Sequence, residues 1–187
     1  YFTDQNVEKE KGIIAQEINM YDDYPDWVVY MEALRCMYKN NPITIDIAGT
    51  VESIQKIDKD ILYKCYNTFY NPSNMLMCFS GDFNPEELIK EIKSRLIEKK
   101  NQGEIKRIHE DEPEQIVKQK AEKTMEVSMP LFVIGIKDKK DNSLVGENLV
   151  KKHIAIEILL NLIIGKSSGL YKELYESKLL ISEPYLD

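Results

Sequence analysis

The alternation of apolar and polar positions divides the chain into helical stretches, short continuous apolar runs and polar connectors. Thr3 or Asp4 can cap a first helix running to about Tyr21. At about 100° per residue, Val7, Ile13, Ile14, Ile18, Met20 and Tyr21 fall on one arc of roughly 160°, with Lys9, Lys11, Glu8, Gln16 and Asn19 on the remainder. Gly12 lies on the polar side of this helix, where it costs up to about 1 kcal/mol relative to Ala. A second helix is predicted from Pro25 or Asp26, with Trp27, Val28, Tyr30, Met31, Leu34 and Met37 as its packed face. Thr50 caps a short helix over 51–57, and Asp58 or Asp60 caps the next through Phe69. Residues 75–80 and 131–137 are continuous apolar runs, read as buried strands, and 116–129 has a mixed strand pattern. Between them lie an amphipathic helix starting at Pro85 and a polar connector over 101–114. A long apolar helix over 145–164 is expected to end at Gly165 in a left-handed conformation, and Ser167 or Ser168 caps a last helix.

Two acids interrupt the first apolar arc. Glu10 and Glu17 are seven residues apart, nearly superimposed two turns along the helix, and both fall inside the arc. An ionised carboxylate taken from water without a partner costs several kcal/mol, so it must pair with a cation, take up a proton or bind a metal. Either both acids sit at the solvated border of a narrower arc, or they belong to a site with Glu17 as metal ligand and Glu10 as a supporting carboxylate. His153, Glu157 and Asn161 recur every four residues along the long apolar helix. No third ligand accompanies them, so they read as a polar border. His109, in the connector, reads as a solvated loop residue.

Composition narrows the classes. Among 187 residues, 43% are hydrophobic and 30% charged, enough for a core and for solubility. A net charge of -7 without a basic stripe argues against a nucleic-acid partner. No apolar run approaches the roughly 20 residues that span a bilayer. The three cysteines, Cys36, Cys65 and Cys78, make neither a disulfide framework nor a zinc knuckle. They read as small buried apolar side chains, which suits a cytoplasmic location.

The block EKGIIAQEINMYDDYPDW, followed by PITIDIAGTVESIQKIDKDILYKCYNTFYNPSNMLMCFSGDFNPEEL, resembles the pitrilysin/insulinase-like zinc metallopeptidases, which include mitochondrial processing peptidase. The two-Glu helix, the G-T-x-E-S-I turn, the F-Y-x-P-S-N-M segment and the S-G-D exit stand in the family's order and spacing. The resemblance implies an α+β, LuxS/mitochondrial-processing-peptidase-like metallohydrolase fold, with helices on a mainly antiparallel sheet and incomplete at both ends. Residues 1–100 would be the back half of a first domain, 101–114 a linker and 115–187 the front half of a second. It also implies Zn2+ as cofactor, Glu17 as a zinc ligand, Glu10 as an additional active-site glutamate, and peptide or unfolded polypeptide as substrate.

The family's other zinc ligands lie in an H-x-x-E-H helix, which does not occur here. His109 and His153 are the only histidines, and the chain opens on Tyr1. The expectation is an internal piece of a zinc endopeptidase that on its own neither holds zinc tightly nor cleaves peptides. The alternative is a non-catalytic scaffold or homologous partner subunit. Lys178 stands where many family members place a glycine. A sheet left open at its edge would favour self-association.

Overall fold

The computed structural model describes residues 1–97, 103–108, 110–139, 141 and 143–186, so His109 lies outside the described residues. Contacts divide the chain into two units, Tyr1–Lys137 and Asp138–Asp187.

The first unit carries α1 (Asp4–Asp22), α2 (Pro25–Met37), α3 (Val51–Gln55), α4 (Lys59–Phe69) and α5 (Pro85–Arg95), with 3-10 turns at Pro42–Thr44 and Pro72–Asn74. Local chemistry fixes where these helices begin. Thr3 accepts from the Asn6 N–H, Asp58 from that of Ile61, and Asn84 from those of Glu86 and Glu87, each satisfying donors that a first helical turn leaves unpaired. The G-T-V-E-S-I turn is the most completely specified. Gly49 has φ +76, and a Cβ there would lie 2.6 Å from Ser53 Oγ. Thr50 and Ser53 then close a reciprocal capping box on α3. The Glu52 carboxyl is held below its ordinary value by its own backbone N–H and the Thr50 hydroxyl.

The core of this unit is small and lies where α1 meets α2 and α3. Val7 and Ile18 of α1, Val28, Met31 and Leu34 of α2, and Ile54 of α3 are buried. Trp27 is half-buried between the rings of Tyr21 and Tyr30, at 5.9 Å from each. Its indole N–H donates to Asp46 Oδ2 at 2.7 Å.

Among the described residues there is no strand, which overturns the expected α+β architecture with an antiparallel sheet. The runs at 75–80 and 131–137 are not helical, but neither pairs with another extended segment among the described residues, and a strand exists only as part of a ladder. Their side chains are correspondingly uncovered, with Leu76 94% and Phe132 83% exposed. Residues 116–129 form no ladder either. Among the described residues there is accordingly no sheet edge of the kind on which the expected self-association was argued. The cysteines also depart from expectation: Cys36 is half-buried, while Cys65 and Cys78 are exposed.

The second unit holds α6 (Glu147–Ile164) and α7 (Gly169–Glu176), packed on each other around buried Tyr171. Most apolar side chains of α6, including Ile154, Ile158, Leu159 and Leu162, are exposed. Among the described residues no single helix is long and apolar enough to cross a membrane. Gly165 ends α6, but at φ -64 and ψ 164 rather than in the left-handed region. It is required for space, since a Cβ would lie 2.3 Å from the Asn161 carbonyl oxygen. The left-handed residue comes later. Lys178 has φ 60, donates its N–H to the Tyr175 carbonyl, and is followed by a Leu179 N–H to Leu174 carbonyl bond. That pair of bonds is the Schellman pattern, usually built on glycine.

Candidate functional site

Helix α1 carries both acids singled out by the sequence, and its rotation about its own axis decides what they can do. Val7, Lys11 and Ile18 are buried, with Ile14 and Ala15 half-buried, an arc of about 100° facing α2 and α3. Glu10 and Glu17 lie about 40–60° beyond its edge, and both are exposed. The inward orientation expected for them is therefore not found in this chain. The apolar arc drawn from sequence is half covered: Ile13 and Met20, on the far side of the acids, are 48% and 60% exposed. The two carboxylates thus stand about 10.5 Å apart along the axis on an open strip between apolar side chains. Met20, Tyr21, Asp23 and Tyr24 line a concavity of about 300 Å³ at the C-terminal end of that strip.

Three contacts fasten the helix in this rotation. Lys11 donates to Glu8 Oε1 at 2.6 Å and to the carbonyl of Gln55, the last residue of α3, at 3.3 Å. A cation at a helix C-terminus is favourably placed. Asp4 pairs with Lys59 at 2.7 Å. The Phe2 N–H donates to the Tyr63 hydroxyl at 3.1 Å, with their rings edge to face at 5.1 Å. Lys11 was assigned to the solvated side by its charge. Its spacing points to burial all the same, four residues from Val7 and seven from Ile18, and Glu8, three residues earlier, supplies a carboxylate for the ammonium.

Neither Glu10 nor Glu17 has a hydrogen bond or ion pair among the described residues, so neither carboxylate is already committed to a cation. Such a group suits one position of a zinc site, which takes three protein ligands from carboxylate, imidazole or thiolate. The described residues do not complete such a site: no three His, Cys, Asp or Glu side chains converge among them. His153 lies on α6, in the other unit, and is exposed. In the same stripe the Asn161 amide donates to the Glu157 carbonyl at 2.9 Å.

Comparison with known proteins identifies the class. A family profile described as "Peptidase M16 inactive domain" matches residues 56–187. The chain belongs to the M16 peptidase family. It is 48% identical over 178 residues to a Bacillus subtilis protein named uncharacterized zinc protease YmfH, a match covering 94% of this chain and 41% of that protein. It is 29% identical over 86 residues to the beta subunit of mitochondrial-processing peptidase from Caenorhabditis elegans, covering 46% of this chain and 19% of that one. A crystal structure of an M16-like peptidase from Alicyclobacillus acidocaldarius superposes with a TM-score of 0.74 at 36% identity, covering 96% of this chain and 43% of the other. The chain spans about two fifths of the Bacillus and Alicyclobacillus proteins, and α1 precedes the residues matched by the family profile.

Proposed function

We propose that this chain is part of a zinc-dependent endopeptidase, to which it contributes one metal-ligating carboxylate, Glu17, and a supporting carboxylate, Glu10. The observation that carries the reading is the open strip of α1, where two unpaired acids alternate with the exposed apolar side chains of Ile13 and Met20. The apolar side chains of this strip offer another segment or partner a surface to cover. Covering it carries both carboxylates into a poorly solvated environment, where they require a cation. The zinc-protease names of relatives at up to 48% identity favour zinc as that cation.

When bound, zinc supplies Lewis-acid polarisation of a peptide carbonyl and a water of lowered pKa. The chain's own part is to present Glu17 at a fixed helix rotation, and to place Glu10 two turns away on the same strip, where it orients neighbouring groups. Substrates are peptides or unfolded polypeptides, and the partner class is a homologous subunit. The test is Glu17→Gln in the longer polypeptide that contains this chain. Zinc retained after dialysis should fall from stoichiometric to background while the far-ultraviolet circular dichroism spectrum stays unchanged. Full zinc content and peptidase activity in that variant would refute the assignment.

A second reading has its own support. The profile that matches 56–187 is described as an inactive domain, which favours a non-catalytic scaffold or partner subunit for that stretch. An H-x-x-E-H motif elsewhere in the longer polypeptide decides for the peptidase, and its absence for the scaffold.

A further inference from the structure

The 110–118 segment meets the end of α2 through a carboxylate and several backbone contacts. Glu112 Oε1 accepts from the Lys39 N–H at 2.9 Å and from Lys137 Nζ at 2.6 Å. Its Oε2 accepts from the N–H groups of Asn40 at 2.6 Å and Asn41 at 2.8 Å. A carboxylate offers about four lone-pair positions, two on each oxygen, and all four are filled. Three of the donors are consecutive backbone amides. The fourth is an ammonium whose side chain is 6% exposed, lies 4.9 Å from the centre of the Tyr38 ring, and also donates to the carbonyls of Pro113 and Gln115.

Further hydrogen bonds also reach this segment. Asn40 donates to the Asp111 carbonyl, and the N–H groups of Val117 and Lys118 reach the Cys36 carbonyl. Ile116 and Val117 leave nearly half their surface exposed, so apolar burial contributes little. The location is also unusual for an anion. The C-terminal end of a helix carries partial negative charge and repels carboxylates, so this one is held by specific donors that overcome the background field.

We propose that residues 38–41 and Lys137 form a carboxylate-binding site, and that Glu112 is its resident ligand, carried on the 110–118 segment as a strap. The site recognises a planar two-oxygen anion by four directed donors. The strap is therefore attached by a ligand-like contact that another carboxylate can replace, and not by an interchangeable surface ion pair.

Hydrogen exchange at the amides of residues 39–41 tests this in three arms. In Glu112→Ala, exchange at these amides should accelerate at least about tenfold, because their acceptor is gone. Sodium formate, compared with sodium chloride at equal ionic strength, should slow that exchange again in the variant and leave the unsubstituted chain unchanged. Glu112→Lys, with Lys137 unchanged, should not restore protection, since a lysine offers the three amides nothing to donate to. Unchanged exchange in the alanine variant, formate acting no differently from chloride, or protection retained in the lysine variant would each overturn the proposal. Should the alanine variant fail to fold, Glu112→Gln takes its place. It keeps one acceptor oxygen, so its amides should exchange at intermediate rates and respond to formate in the same direction.

Discussion

Asp46 ties the loop after α2 back onto the helix, and its removal gives a quantitative test of the first unit. Its Oδ2 accepts from the Trp27 indole at 2.7 Å and its Oδ1 from the Ala48 N–H at 2.9 Å. Asp46→Ala deletes both bonds and leaves the indole N–H, half-buried between Tyr21 and Tyr30, without its acceptor. Hydrogen bonds to a charged group contribute about 1.5–3 kcal/mol each when well buried. Both groups here retain solvent contact, and water partly replaces the lost acceptor, so a total loss of about 1.5 kcal/mol is expected. With a urea dependence of about 2 kcal/mol/M, the unfolding midpoint should fall by about 0.75 M. Trp27 is the chain's only tryptophan, so its emission reports on this contact directly. The native emission should change in the variant, and the urea transition should move to lower concentration. Asp46→Asn keeps an acceptor oxygen for the indole and should lose less than half as much. An alanine variant with a midpoint within about 0.2 M of the unsubstituted chain and unaltered emission would refute the claim that this carboxylate anchors the loop.

Three other outcomes follow from single positions. Lys178→Gly should raise stability by about 1 kcal/mol, measured by urea titration, because the φ of 60 that strains a lysine costs glycine nothing. Gly12→Ala should also stabilise, by up to about 1 kcal/mol, since a Cβ there meets nothing within 4 Å and the helix gains propensity; a loss would reveal a partner against that face. Burial pushes the Glu112 carboxyl up, but the bonds from Lys137 and from the N–H groups of Lys39, Asn40 and Asn41 outweigh it and bring it to about 2 from 4.5. A depressed folded-state value stabilises above the unfolded value and is lost as pH falls through the folded one, so the gap in urea midpoint between the unsubstituted chain and Glu112→Gln should be constant above pH 4.5 and close between 4.5 and about 2.

The helices were legible because each is specified by neighbours in sequence. Thr3, Thr50, Asp58 and Ser168 cap the helices they were expected to cap, and a side-chain oxygen reaching an amide two or three residues on needs no tertiary information. The strands were not legible in the same sense. Residues 75–80 and 131–137 have the composition of buried strands, but composition fixes only a preference for extended backbone, and pairing depends on a partner that the run does not encode. Glu112 and Lys137 escaped notice for the related reason that they are 25 residues apart: Glu112 alone looks like an ordinary charged residue of a connector, and Lys137 like the polar end of an apolar run.

The misreading of α1 has a different origin, and it bears on the site. Periodicity gives the angular spread of apolar residues around a helix, but not which part of a wide arc is covered. Val7, Ile14 and Ile18 face α2 and α3, whereas Ile13 and Met20, equally apolar, do not. The covered half is chosen by Lys11, whose ammonium reaches the end of α3 at Gln55, with Asp4 and Phe2 holding the first turn against α4. Turning α1 to bury Glu10 and Glu17 against its present neighbours would draw Lys11 away from that carbonyl and expose Val7. The two acids are therefore held outward by the packing of this unit itself, and any cation they serve is met on the flank of α1, about 100–120° around the helix from Lys11.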